Sequence, residues 1–252
     1  MTPRPAAPTA IPTALDDRDL RRLERSARLL RTLGTRTALA GVLPDTAPPR
    51  VLDQLAAACR VDHLAVMIFP TDLDTARAEL ARRGLPSRAP LPSTVVRERV
   101  RRRLDHTAEP DVRILHIPVA GSDGDPRVIE AFVLADPDRR FDDVARDERL
   151  HRWEDHLAVT TEAAPRHLPA LCALLRDHCG LHPDGGGHNP ADGSAGRTVL
   201  YFTRHRTPPP PFRNGLPHRL ELVVPGRHDD LLHTHLRRTR NPAVPEPLPD
   251  RP

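Results

Sequence analysis

Asp62-His63-Leu64-Ala65-Val66 recurs letter for letter as Asp155-His156-Leu157-Ala158-Val159, 93 residues further along the chain. Each copy opens the same run of expected elements: an apolar strand, a helix ending in Gly-Leu (Gly84-Leu85 and Gly180-Leu181), then further strands. Each run closes on a strand with an acid among apolar neighbours, Glu130 in the first and Glu221 in the second. A repeat that keeps nearly the same offset at both of its ends marks an internal duplication.

Working outward, Val61–Phe69 reads as a buried strand, because its apolar character is continuous over a short run and Pro70 follows. Leu73, Ala76 and Leu80 give the next segment a helical face, stopped at Gly84. Ser93–Asp105 reads as an inserted helix where a strand would complete the plan. Val112–Val119 and Arg127–Leu134 read as a hairpin around Gly121–Asp125. The second unit repeats this as strand Trp153–Thr160, helix Pro165–Cys179, a Gly-rich loop from Gly185, and strands Thr198–Thr203 and His218–Val224. The long Arg204–Pro217 connection, with Pro208–Pro211, is expected to form a lid or pocket wall. Asp16–Leu33 and Val51–Cys59 are read as helices outside the repeat. The expected organisation is therefore a disordered N-terminus over 1–15, N-terminal helices over 16–60, modules over 61–150 and 151–237, and a disordered tail over 238–252.

Alternation along a strand sorts side chains by face. His63 falls with Ala65 and Met67, and His156 with Ala158 and Thr160, in each copy opposite the bulkier Leu and Val. Glu130 falls with Val128 and Phe132, and Glu221 with Arg219 and Val223. A carboxylate among such residues is costly to bury unless it is paired, hydrogen-bonded or coordinated. Two histidines and two glutamates at repeat-equivalent positions therefore point to a shared metal ion. His116 and Tyr201 occupy comparable places in the two units and are the candidate proton-handling residues. Arg204, His205 and Arg219 are candidates for holding an acidic substrate, whereas His182, His188, His233 and His235 read as loop or surface residues.

Composition excludes several classes. The 30 prolines gather mainly outside the repeats, so a hydrophobic fraction of 38% suffices for a core in the middle of the 252 residues. The chain has no lysine, and its net charge of +4 arises from intermixed acids and arginines. That pattern reads as a solvated surface, not a nucleic-acid stripe. The three cysteines lack Cys-x-x-Cys spacing, which argues against disulfides and structural zinc. With no apolar run near the roughly 20 residues of a membrane span, the expectation is a soluble cytoplasmic protein acting on a small molecule, with no nucleic-acid or membrane partner and with a homodimer as a possible assembly.

The residues quoted, together with Ile129–Phe132 and Leu220–Val223, resemble the vicinal oxygen chelate superfamily of glyoxalase I, extradiol dioxygenases and fosfomycin-resistance enzymes. The resemblance covers about Val61–His235. It implies an α+β fold in which two β-α-β-β-β modules form an open, barrel-like sheet, here with an N-terminal helical addition. It also implies a divalent metal on His63, His156 and Glu221, with Glu130 at the place of a fourth ligand. Three ligands suit Fe(II) and an oxygenase acting on a metabolite that chelates through two adjacent oxygens. Four suit Ni(II), Zn(II) or Mn(II) and a glyoxalase-like isomerase or lyase. The expectation carried forward is the iron oxygenase, with the isomerase or lyase and a non-catalytic binding or resistance protein as alternatives.

Overall fold

The computed structural model describes residues 14–104, 109–190, 195–204 and 216–240. Eight strands form one mixed sheet in the order β2-β3-β4-β1-β5-β8-β7-β6. The first module contributes β1 (Cys59–Ile68), helix α4 (Leu73–Arg82), β2 (Leu91–Pro92), β3 (Val112–Ala120) and β4 (Pro126–Leu134). The second contributes β5 (His156–Thr161), α7 (Leu168–Ala173), β6 (His182–Asn189), β7 (Arg197–Thr203) and β8 (Arg219–Pro225). Each module pairs its first and last strands in parallel, and β1 runs antiparallel to β5 at the centre. The α+β fold of two joined β-α-β-β-β modules is thus the one the resemblance implied.

The side chains opposite the histidines build the main core. Leu64, Val66, Ile68, Ile129, Leu157, Val159, Leu220 and Leu222 are all buried on this face. Burying each stabilises the fold by about 1.5–3 kcal/mol. Helices α1 (Asp17–Thr32), α2 (Thr35–Val42) and α3 (Pro49–Ala58) cover this layer beside α4 and α7. Leu20, Leu23, Ala27 and Leu30 recur at helical spacing to form the buried stripe of α1, and Asp16 caps its start by accepting the Arg18 N–H. The core reaches back to Ala14 and Leu15, both buried, although the sequence places them in the tail. The Ala14 carbonyl accepts the Thr71 N–H, which fixes this entry.

The other face carries a second, smaller core. The inserted helix α5 (Thr94–Arg103), capped by Ser93, lies over it and packs Val96 and Val100 among Ala65, Met67, Ile114 and Phe132. Helix α6 (Asp142–His151) adds Val144.

Three local expectations are corrected. The Gly185–Gly187 stretch lies within a strand, β6, and not in a loop. A side chain on Gly186 would come within 2.5 Å of the Val199 carbonyl, so close pairing with β7 demands glycine there. The helix read over Pro165–Cys179 is divided into a 3₁₀ turn, α7 and a π turn over Leu174–His178. Helix α8 (Asp229–Arg240) packs on β6 and β7 and runs three residues into the stretch read as tail. His235 on that helix is buried, not superficial, with Nε2 within 3.0 Å of the Gly185 carbonyl and 2.9 Å of the Tyr201 carbonyl. Pro208–Pro211 and His205 lie outside the described residues. Among the described residues, no helix is long and apolar enough to cross a membrane.

A buried charge cluster joins α5 and α6 to the start of β5. Glu148 of α6 is fully buried, accepts from Arg103 Nη1 at 3.2 Å and from the Glu154 N–H at 2.9 Å. Burial and the neighbouring Glu154 charge raise its pKa from 4.5 to about 7. The folded state therefore binds this proton more tightly than the unfolded chain. Stability must fall as pH rises through the window from about 4.5 to about 7. Urea unfolding at pH 5 and pH 8 should show this fall, and Glu148→Gln should flatten it.

Candidate metal centre

Register explains why the four residues of the repeat meet. One cross-strand row runs His116 (β3), Glu130 (β4), Ala65 (β1), His156 (β5). A second runs Tyr201 (β7), Glu221 (β8), Ala158 (β5), His63 (β1). The rows are related by the pseudo-twofold between modules. Each places a small, buried alanine between a glutamate and the histidine of the other module. The methyl groups leave room for the longer side chains to converge above them.

The convergence is tight. His63 Nε2 lies 3.4 Å from His156 Nε2, 3.6 Å from Glu130 Oε2 and 3.8 Å from Glu221 Oε2. His156 Nε2 is 2.7 Å from Glu221 Oε2, and ligand atoms of His63, Glu130 and His156 all lie within 4.8 Å of one another. Ligand bonds of about 2.1 Å put neighbouring donors about 3.0 Å apart at right angles and about 3.4 Å apart at tetrahedral angles. His63, Glu130 and His156 could therefore hold one ion between them.

No known family profile matches the chain, and no curated protein does. Among solved structures, a Streptomyces coelicolor methylmalonyl-CoA epimerase variant in complex with 2-nitronate-propionyl-CoA is 18% identical, with a TM-score of 0.39, over 68% of this chain and 99% of that one. The Mycobacterium tuberculosis methylmalonyl-CoA epimerase is 17% identical, with a TM-score of 0.38, over 66% and 88%. A hypothetical protein from Bacillus halodurans is 10% identical, with a TM-score of 0.35, over 68% and 96%. Overlap this loose transfers no chemistry, so the centre is judged on its own atoms.

Those atoms fit a cation. His63 Nδ1 lies 2.9 Å from Asp62 Oδ2, and His156 Nδ1 lies 2.7 Å from the Glu154 carbonyl oxygen. An acceptor at each Nδ1 suits the tautomer that metal-binding histidines adopt, with Nε2 facing the centre. Glu221 Oε2 is buried and accepts no hydrogen bond, despite its closeness to His156 Nε2. It lies off the donor direction, as two ligands of one ion would. Burial opposes charging His63, yet Glu130, the Asp62 hydrogen bond and Glu221 raise its pKa to about 10. Burial likewise opposes ionising Glu130, but His63, the His116 hydrogen bond and His156 lower it to about 2. Both displacements express one demand for positive charge between the carboxylates.

The two copies of the repeat have diverged in how they use their aspartate. A β-bulge between Val61 and His63 inserts Asp62 as an extra residue, so that its side chain turns toward the imidazole next to it. Arg197 Nη1, 3.3 Å away, holds Asp62 from the other side. Burial pushes the Asp62 carboxyl up, but the His63 bond and the Arg197 charge leave it below its ordinary value. Asp155 instead binds Arg22 of α1 at 2.5 Å. Asp62→Ala should weaken divalent-metal affinity by about 10–100-fold, measured by calorimetric titration. Asp155→Ala should act chiefly on stability.

The two expected proton-handling residues stand beside the glutamates, one per row. His116 Nε2 is 3.1 Å from Glu130 Oε1. The Tyr201 hydroxyl bonds to Glu221, and burial with that carboxylate raises its pKa well above the ordinary value. Of the residues expected to hold an acidic substrate, Arg219 is engaged with Asp184 at 2.8 Å and with the Trp153 carbonyl. Arg204 donates to the Gly41 and Val42 carbonyls. Sequence reasoning left Arg99 unassigned within the inserted helix. Its guanidinium carbon lies 4.5 Å above the Tyr201 ring.

Proposed function

We propose that this chain is a metal-dependent isomerase or lyase of the vicinal oxygen chelate type, acting on a small oxygenated metabolite. The observation that carries the reading is Glu130, which stands with both histidines while Glu221 also lies against His156, two carboxylates where the iron centre expected of an oxygenase has one. His63, His156, Glu130 and Glu221 would hold a divalent cation, with Ni(II), Zn(II) and Mn(II) suited to two imidazoles and two carboxylates. When bound, the ion supplies a Lewis acid for a substrate oxygen.

The protein's own groups divide the remaining work unequally. The Glu221 side chain is only 4% exposed and is tied to Tyr201, so it is the fixed carboxylate. Glu130 is 14% exposed and bonds to His116, which is 20% exposed. Glu130 is therefore the carboxylate that takes a proton from the carbon beside the polarised group. His116 Nε2 connects it to solvent. Returning that proton to a different position or face completes an isomerisation, and expelling a leaving group completes an elimination.

The test is proton exchange. Wild-type protein loaded with Ni(II), Zn(II) or Mn(II) is incubated in D2O with small 2-oxo and 2-hydroxy carbonyl compounds, and exchange at the adjacent carbon is followed by NMR. Exchange should be lost by at least about 100-fold in Glu130→Gln. Oxygen consumption by the Fe(II)-loaded protein, without exchange under any metal, would restore the oxygenase.

A further inference from the structure

Helix α5 does more than fill the concave face. Val96 and Val100, four residues apart, pack against the first module. Val95 and Arg99, also four apart, form a neighbouring stripe directed at the second. Val95 stands over Gly187 of β6, where a Cβ would come within 3.2 Å of its methyl group. Arg99 then reaches Tyr201, whose ring is 5.2 Å from the His156 ring. One tyrosine ring separates this guanidinium from the centre.

Arg99 lacks a hydrogen-bond acceptor of its own. Its Nε, Nη1 and Nη2 atoms are all shielded from solvent without a hydrogen bond, although the side chain as a whole is 21% exposed. The nearest carboxylate oxygen, Glu154 Oε2, lies 3.2 Å from Nη2 in an ion pair that does not close into a hydrogen bond. Arg103 donates to Glu154 Oε1 at 3.0 Å, and Arg219 lies 3.6 Å from Oε2. Arg103 also binds Glu148, and Arg219 also binds Asp184. Of the three arginines on Glu154, Arg99 alone completes no hydrogen bond with its guanidinium. Buried charged donors without acceptors are costly, and a planar guanidinium matches a carboxylate in two parallel bonds.

We propose that Arg99 recognises an acidic group of the substrate. The substrate is then an oxygenated acid that chelates the metal at one end and presents a second carboxylate to the α5 guanidinium. This deepens the reading above and rests on it. Arg99 sets specificity; it takes no part in moving the proton.

The experiment uses Co(II)-loaded full-length protein, with Co(II) uptake measured first. Binding of pyruvate, 2-oxoglutarate and 2-oxoadipate is then followed by the Co(II) absorption spectrum and by calorimetry. Wild type should bind at least one dicarboxylate about tenfold or more tightly than pyruvate, the size of one charge-assisted pair. Arg99→Gln should abolish that preference and leave pyruvate binding and Co(II) affinity unchanged. Arg99→Lys, which retains the charge beside Glu154 but not the fork, should recover only part of it. If Arg99 merely anchors α5, pyruvate binding and thermal stability will fall with the dicarboxylate preference intact, which overturns the proposal. Equal binding of all three acids by Co(II)-loaded wild type also overturns it and spares the metal reading. Failure to take up Co(II) removes both.

Discussion

His156→Ala is expected to lower divalent-metal affinity by more than about 100-fold, beyond the loss from removing a group that only orients a ligand. His156 is fully buried, its Nδ1 is committed to the Glu154 carbonyl, and its Nε2 lies 3.4 Å from His63 Nε2 and 2.7 Å from Glu221 Oε2. Its cross-strand neighbour on β1 is Ala65, whose methyl group supplies no replacement ligand. Calorimetric titration with Co(II) or Ni(II), beside a thermal melt of the metal-free variant, separates lost coordination from lost structure. Stoichiometric metal at wild-type affinity in His156→Ala would remove the centre from consideration.

Arg22→Ala is expected to cost about 3–5 kcal/mol of stability, a fall of roughly 10 °C in Tm, without touching the centre. Arg22 Nη2 is 2.5 Å from Asp155, and Nη1 donates to the Met67 carbonyl at 2.8 Å. Asp19, its neighbour on α1, is fully buried and accepts from the Phe69 N–H and from Arg149 of α6. The N-terminal helix is thus joined by buried charges to the ends of β1 and β5. Truncation leaves Asp155 with only Arg152, at 3.3 Å, to balance it. Chemical unfolding of the metal-free protein measures the cost. A change below about 1 kcal/mol would show that Arg152 and water suffice.

The paired modules and the four inward residues were legible in the sequence because a strand has a period of two, which every ligand-bearing strand obeys beyond its bulge. Ala65 and Ala158 were legible as the less bulky face, though not as the spacers over which two rows converge. The bulge at Asp62 was not legible, since an inserted residue follows from pairing and not from composition. It explains why identical pentapeptides use their aspartates differently. Strand β6 was hidden because Gly185–Gly187 carries a loop's signature, while tertiary pairing requires those positions to be small. Arg99 was obscured by the arginines around it. Only packing shows that this one turns inward while Arg101 and Arg102 pair with Glu98 on the exposed side.

The crossed composition of the two rows has a thermodynamic consequence. Each row takes its glutamate from one module and its histidine from the other, so neither half of the chain holds a complete set of donors. An ion that binds only the joined halves stabilises their union by an amount that grows with the logarithm of its concentration. Metal should therefore tighten the coupling between the two duplicated halves across the β1–β5 seam. The separation of their unfolding transitions under chelation would read out the strength of that coupling.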